Sequence, residues 1–145
     1  MTQRLDYRSL SPDGVKGLFA GQPYLIKALP RPLLDIVWIR VSQINGCAYC
    51  VDQHVKDAIQ HGAAERKLHH VAIWWESPLF DDRERAALAY AEAVTRLEHQ
   101  RVADDVYEAA KAQFDERSLT DLTIAIAAMN AWNRLAIAVR KGAPA

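Results

Sequence analysis

Apolar residues recur at helical spacing along almost the whole chain. Leu33, Val37, Val41 and Ile44 follow a period near 3.6 and predict a helix over about 32–44. Val51, Val55, Ala58 and Ile59 form the stripe of a second helix that starts near Cys47. Ala64 to Trp75 reads as a shorter one, Ala86, Tyr90, Val94 and Leu97 share a face of the next, and Ala103, Val106, Ala110 and Phe114 mark another. From Leu122 to Ala138 the chain is apolar nearly all round, so this last helix is expected to be central or to lie at an interface. No segment alternates with the two-residue period of a half-buried strand. The fold class is therefore all-α, a compact helical bundle.

The punctuation between these stripes is local chemistry. Ser11-Pro12 reads as a helix cap followed by a first-position proline, opening a short helix with Val15, Leu18 and Phe19 turned inward. Pro23, Pro30 and Pro32 are expected to break the chain before the 32–44 helix, and Asn45-Gly46 to stop that helix, since both residues tolerate left-handed backbone angles. His61-Gly62 ends the following one. Asp81 with Glu84 has the spacing of a capping box, and Ser118 or Thr120 is expected to cap the final helix, which runs to about Arg140. Without repeats, low-complexity tracts or a long linker, residues 1–145 read as a single domain.

Composition narrows the possible partners. A domain of 145 residues buries roughly 68–70% of the surface of its unfolded chain, enough for a core without metals or staples. Half the residues are hydrophobic, which leaves material for a subunit interface as well. Basic and acidic side chains balance at 18 each, giving no electrostatic case for nucleic acid or an anionic membrane. Met-Thr-Gln-Arg leads into no signal-like apolar stretch, and no apolar run is long enough to span a bilayer, so the cytoplasm is the expected compartment. Cysteine pairs there are more often catalytic or metal-binding than structural.

The two cysteines of the chain are Cys47 and Cys50, separated by Ala48-Tyr49, with His54 four residues further on. Asn45-Gly46 puts Cys47 at a helix start and Cys50 in its first turn, where the backbone N–H groups and the helix dipole favour a thiolate. A thiolate can attack an oxidant to give a sulfenic acid, and a second thiol can condense with it to a disulfide. Cys50 is the better nucleophile by position, because His54 at i+4 lies beside it on one helical face; Cys47 then resolves. Tyr49 could donate a hydrogen bond to a bound peroxide or pack, and Trp74 could line an apolar substrate pocket or pack against a neighbouring helix. Asn133 and Arg134, polar groups in an apolar helix, need partners if buried; Asp35 and Asp121 are candidates.

Other chemistries use the same residue types. C-x2-C is a zinc-ligand spacing, and His54 with one of Asp35, His61, His69 or His70 could complete a set, but there is no second C-x2-C or H-x3–5-H element. A thioredoxin-like site needs a strand before its dithiol, and none is readable. The pair could also serve as a disulfide exchanger or redox sensor, or be vestigial in a non-catalytic helical oligomer. There is no glycine-rich phosphate loop and no readable metal, flavin or nicotinamide site.

The run Ser42-Gln43-Ile44-Asn45-Gly46-Cys47-Ala48-Tyr49-Cys50-Val51-Asp52-Gln53-His54, followed by Gly62, resembles the core motif of alkyl hydroperoxidase D-like proteins in the carboxymuconolactone decarboxylase superfamily. Ala131-Trp132-Asn133-Arg134-Leu135 is similar to a segment of their last helix, and the resemblance spans roughly residues 15–140. It implies an all-helical fold assembled as trimers or hexamers, with the site near subunit contacts. It also implies thiol-dependent reduction of peroxides, with no bound cofactor and with an external reductant, a lipoyl-type dithiol or a redox protein. The second cysteine of the motif attacks and the first resolves. The motif histidine works in a proton relay with a glutamate twelve residues before the first cysteine. That position here is Asp35, one methylene shorter, and Tyr49 stands where founding members carry a histidine. The decarboxylases of the superfamily generally lack the cysteine pair, so its presence argues against lactone decarboxylation.

Overall fold

The computed structural model describes residues 2–142. Nine α-helices follow one another among these residues: α1 (Tyr7–Leu10), α2 (Pro12–Phe19), α3 (Gln22–Ala28), α4 (Arg31–Asn45), α5 (Ala48–Gln60), α6 (Glu65–His70), α7 (Asp82–Arg96), α8 (Asp104–Gln113) and α9 (Glu116–Ala138). A 3₁₀ segment, Val71–Glu76, continues α6, and a 3₁₀ turn, Glu98–Gln100, follows α7. No strand occurs among the described residues.

The centre of the bundle is α4. Every residue from Leu33 to Ser42 is buried, because α5, α7 and α9 all pack against it. The final helix, expected from its apolar sequence to be central or at an interface, covers α4 with one face and leaves Ile124 and Ile137 exposed. A buried helix with polar residues must satisfy them. Arg40 does so against Glu92 of α7, with nitrogens at 2.8 Å from Oε1, and Trp74 Nε1 donates to the same oxygen at 2.8 Å.

Several boundaries differ from the sequence expectation, each for a local reason. Pro23 and Pro32 do not break the chain; they occupy the first turns of α3 and α4, where a missing N–H costs nothing. Helix α3 was therefore not anticipated, nor was the single turn α1. The last helix is capped by Asp115, whose carboxylate accepts the Ser118 N–H at 2.7 Å, so Ser118 contributes its amide rather than its hydroxyl. The 64–75 stretch is not one helix; it tightens to 3₁₀ at Val71 and kinks at Ile73. On α7 the capping box of Asp81 and Glu84 forms as expected, but the buried face is centred on Ala87, Leu88 and Ala91, and Leu97 is an exposed left-handed cap. Ile59 of α5 is likewise exposed, and α2 buries none of Val15, Leu18 and Phe19 fully.

The segment before α2 is tied to the far end of the chain. The Arg4 N–H donates to the Val139 carbonyl at 2.8 Å, and Lys141 Nζ donates to the Tyr7 hydroxyl at 3.3 Å. Lys141 Nζ also lies 4.1 Å from the centre of the Tyr49 ring. The strap thus carries α1 over the start of α5.

Candidate active site

The site is built by the two-residue junction between α4 and α5. Gly46 adopts φ 71°, ψ 29°, and its N–H bonds the Gln43 carbonyl while the Cys47 N–H bonds the Ser42 carbonyl. This is a Schellman closure, which satisfies the last carbonyls of α4 and reverses the chain at once. Cys47 is then already the N-cap of α5, and its sulfur accepts the Cys50 N–H at 3.3 Å. Cys47 and Cys50 are joined as a disulfide, with Cα atoms 5.3 Å apart. Behind the junction, Asn45 Nδ2 donates to Asn130 Oδ1 and Asn133 Oδ1, both at 2.9 Å, and Asn133 Nδ2 donates to Ser42 Oγ at 3.1 Å. These amides clamp the redox turn to α9. Asn133 is thus partnered by Ser42 and Asn45, not by Asp35 or Asp121, and Arg134 is exposed, bonding back to Asn130.

A cavity of about 350 Å³ opens over the disulfide. Cys50 and His54 both line it, as does Tyr49, whereas Cys47 sits behind, packed against Ala136 of α9. His54 stacks at 5.3 Å on Trp38, and its Nδ1 is buried without a hydrogen-bond partner among the described residues. Its nearest acid is Asp57, with Oδ2 at 3.9 Å, too long for a hydrogen bond. Burial pushes the imidazole down to a pKa of about 4, against the opposing pull of Asp57 and Asp35, with Arg31 adding slightly to the depression. The ring is therefore neutral at pH 7.

Asp35 is 1% exposed and its carboxylate is fully engaged elsewhere. Oδ1 takes the Arg31 Nε–H at 2.9 Å and Oδ2 lies 2.9 Å from His61 Nδ1. The hydrogen-bonded partner of the acid is thus His61, beyond the C-terminus of α5, and not His54. Gly62, at φ 88°, closes the end of α5 and brings His61 back toward α4. Arg31 also stacks over Trp38 at 5.4 Å, so one cation serves the acid and the ring under His54. Trp74 does not reach the dithiol: it lines a separate cavity with Glu92 and Arg96, held there by its bond to Glu92. The zinc alternative has no constellation behind it, since no group of three or more His, Cys, Asp or Glu side chains converges among the described residues.

Residues 18–93 match the carboxymuconolactone decarboxylase family. The chain belongs to that family. Within it the chain is alkyl hydroperoxidase D-like. The uncharacterized protein YdfG of Bacillus subtilis is 34% identical over 140 residues, which cover 96% of this chain and 95% of the relative. Among solved structures, a protein of unknown function from Agrobacterium tumefaciens, provisionally assigned to AhpD antioxidant defence, superposes with a TM-score of 0.95 at 34% identity, over 99% of both chains. The debrominase Bmp8, crystallised as a cysteine-to-alanine variant in complex with 2,3,4-tribromopyrrole, has the same fold at 19% identity, with a TM-score of 0.85 over 94% of this chain and 74% of its own.

Sequence reasoning missed most of the cavity wall in this family member. Tyr7, Arg8, Phe19, Met129 and Trp132 complete it from α1, α2 and α9. Nothing in the local pattern separates the apolar ones from ordinary core residues or Arg8 from an ordinary surface charge, since they meet only through the strap and the crossing of α9.

Proposed function

We propose that this protein is a thiol-dependent peroxidase, a cytoplasmic homo-oligomer that reduces peroxides through its Cys47–Cys50 pair. The observation that supports it best is the arrangement at the cavity: Cys50 lines it beside a neutral, unpartnered His54, and Cys47 lies behind within disulfide reach. In the reduced form His54 takes the Cys50 proton. The thiolate attacks one peroxide oxygen, the O–O bond breaks, and the leaving alkoxide takes the proton back as an alcohol. Cys50 is then a sulfenic acid. Cys47 attacks its sulfur, water leaves, and the disulfide forms. One peroxide is reduced and two thiols are oxidised.

Both sulfurs are deep, with Cys47 2% and Cys50 5% exposed. A flat protein surface would not reach them, which favours a slender dithiol of the lipoyl type, or a redox protein that presents one, as electron donor. The same burial weighs against general disulfide exchange between proteins.

The test is an intact-mass measurement of reduced protein after one equivalent of peroxide. Wild type should lose about 2 mass units, Cys47→Ser should gain about 16 as a stalled sulfenic acid, and Cys50→Ser should do neither. Peroxide consumption undiminished in Cys50→Ser would overturn the assignment.

A further inference from the structure

The cavity over Cys50 is far larger than hydrogen peroxide requires. Its 350 Å³ is about twelve times the roughly 30 Å³ that one water occupies in the liquid. The rest of the space is walled by rings. Tyr49, next to Cys50 in the chain, and Tyr7 of α1 line it, and Phe19 and Trp132 pack there at 4.3 Å with their planes tilted by 50°. Met129 and Ala136 of α9 line it as well. Arg8, which also lines the cavity, lies at 5.7 Å over Phe19 and 6.0 Å over Tyr7. Two of the four rings are held from behind: Tyr7 is fixed by Lys141 through its hydroxyl, and Tyr49 by the same ammonium over its face.

Rings held at tilted angles around a space receive another ring well, since edge-to-face and offset contacts at roughly 4.5–7 Å between centroids are favourable beyond the area they bury. A linear alkyl chain would gain burial alone. We propose that the cavity is built for an aromatic hydroperoxide, in which an aryl group sits among Tyr7, Phe19, Tyr49 and Trp132 and directs the hydroperoxyl group at Cys50. This rests on the peroxidase reading for its chemistry. The balance is the one given above: the aryl-bearing hydroperoxide leaves as the corresponding alcohol, and the two thiols become the disulfide.

Two measurements on the full chain test it separately from that reading. The first is binding of 2-phenyl-2-propanol, the alcohol product of cumene hydroperoxide, to the oxidised protein, followed by tryptophan fluorescence, with tert-butanol as the non-aromatic control. Saturable binding at least tenfold tighter than tert-butanol, weakened several-fold by Phe19→Leu and retained in Trp132→Phe, is expected. The second is kcat/KM for cumene hydroperoxide against tert-butyl hydroperoxide and hydrogen peroxide, each divided by its rate with dithiothreitol. The normalised preference for cumene hydroperoxide should be tenfold or more, about 1.4 kcal/mol in the transition state, and should fall in Phe19→Leu. Equal affinity for the two alcohols, or no normalised preference in an active enzyme, overturns the proposal. Tight aryl-alcohol binding by a protein that consumes none of the three peroxides would retire the peroxidase reading and keep the aromatic site.

Discussion

Removing the His54 imidazole should change how the stability of the protein responds to acid. In the native disulfide form burial holds its pKa at about 4, whereas the unfolded chain has the ordinary value of 6.5. Above pH 6.5 both states are neutral and the group contributes no pH dependence. As pH falls from 6.5 toward 4 the unfolded state takes up a proton that the native state refuses, so the native state loses stability; below 4 both are protonated and the loss levels off. Each unit of difference is worth about 1.4 kcal/mol, so the loss should reach about 2 kcal/mol at pH 5 and about 3 kcal/mol at pH 4. Only 12% of this side chain is exposed, so solvent screening does little to reduce the figure. Urea unfolding of the oxidised wild type and of His54→Gln at about pH 7.5, 6, 5 and 4 isolates the contribution, because the carboxylates and the other histidines are common to both. The difference in unfolding free energy between the two should shift by that amount in favour of the variant on acidification. Parallel curves would show that His54 is solvated or hydrogen-bonded in solution and would remove the physical basis for a neutral proton acceptor in the cavity.

Gly46→Ala should cost about 1–2 kcal/mol of stability, read as a lowered urea midpoint, because φ of 71° is unfavourable for an L side chain while nothing lies within 4 Å of the added Cβ; an unchanged midpoint would mean the redox turn can relax into another closure. Asp35→Asn should lower stability by about 1–3 kcal/mol, since the amide removes the charge and leaves one acceptor oxygen for Arg31 and His61, which are themselves part-exposed. The same variant separates two roles: a pH–rate profile for peroxide consumption that is unmoved would confine Asp35 to holding α4 against the end of α5.

The parts of the site that could be read in advance are those decided within a few residues. Asn45-Gly46 announces the reversal, Cys47 and Cys50 fall where that reversal puts them, and the Asp81–Glu84 box forms from its own spacing. What depends on which helix lies opposite could not be read. Asp35 occupies the relay position of the motif, yet a carboxylate one methylene shorter than glutamate lies against Arg31 and His61, and only the packing of α5 on α4 reveals that choice. Trp74 is as apolar as Trp132, but one meets Glu92 on α7 and the other meets Phe19 above the dithiol. Of the pair expected to stop α4, Gly46 takes the left-handed turn while Asn45 stays helical, and its amide bonds to Asn130 and Asn133 involve residues more than eighty positions away. Prolines misled for the opposite reason, since the same residue ends one helix or begins the next according to where it falls in the turn.

The cavity is assembled from two kinds of chain. Cys50, Gln53 and His54 lie inside the stretch, 18–93, that matches the family, while Tyr7, Arg8, Met129, Trp132 and Ala136 lie outside it. Phe19 and Tyr49 lie inside that stretch too, so reactivity is confined to it whereas choice of molecule is shared between it and the outer stretches. Substitutions in the outer stretches can redraw the space around the sulfurs without disturbing the turn that holds them. Descendants of one ancestor could diverge to unrelated small molecules while handling electrons in the same way, and the reacting sulfurs alone would be a poor guide to what each of them consumes.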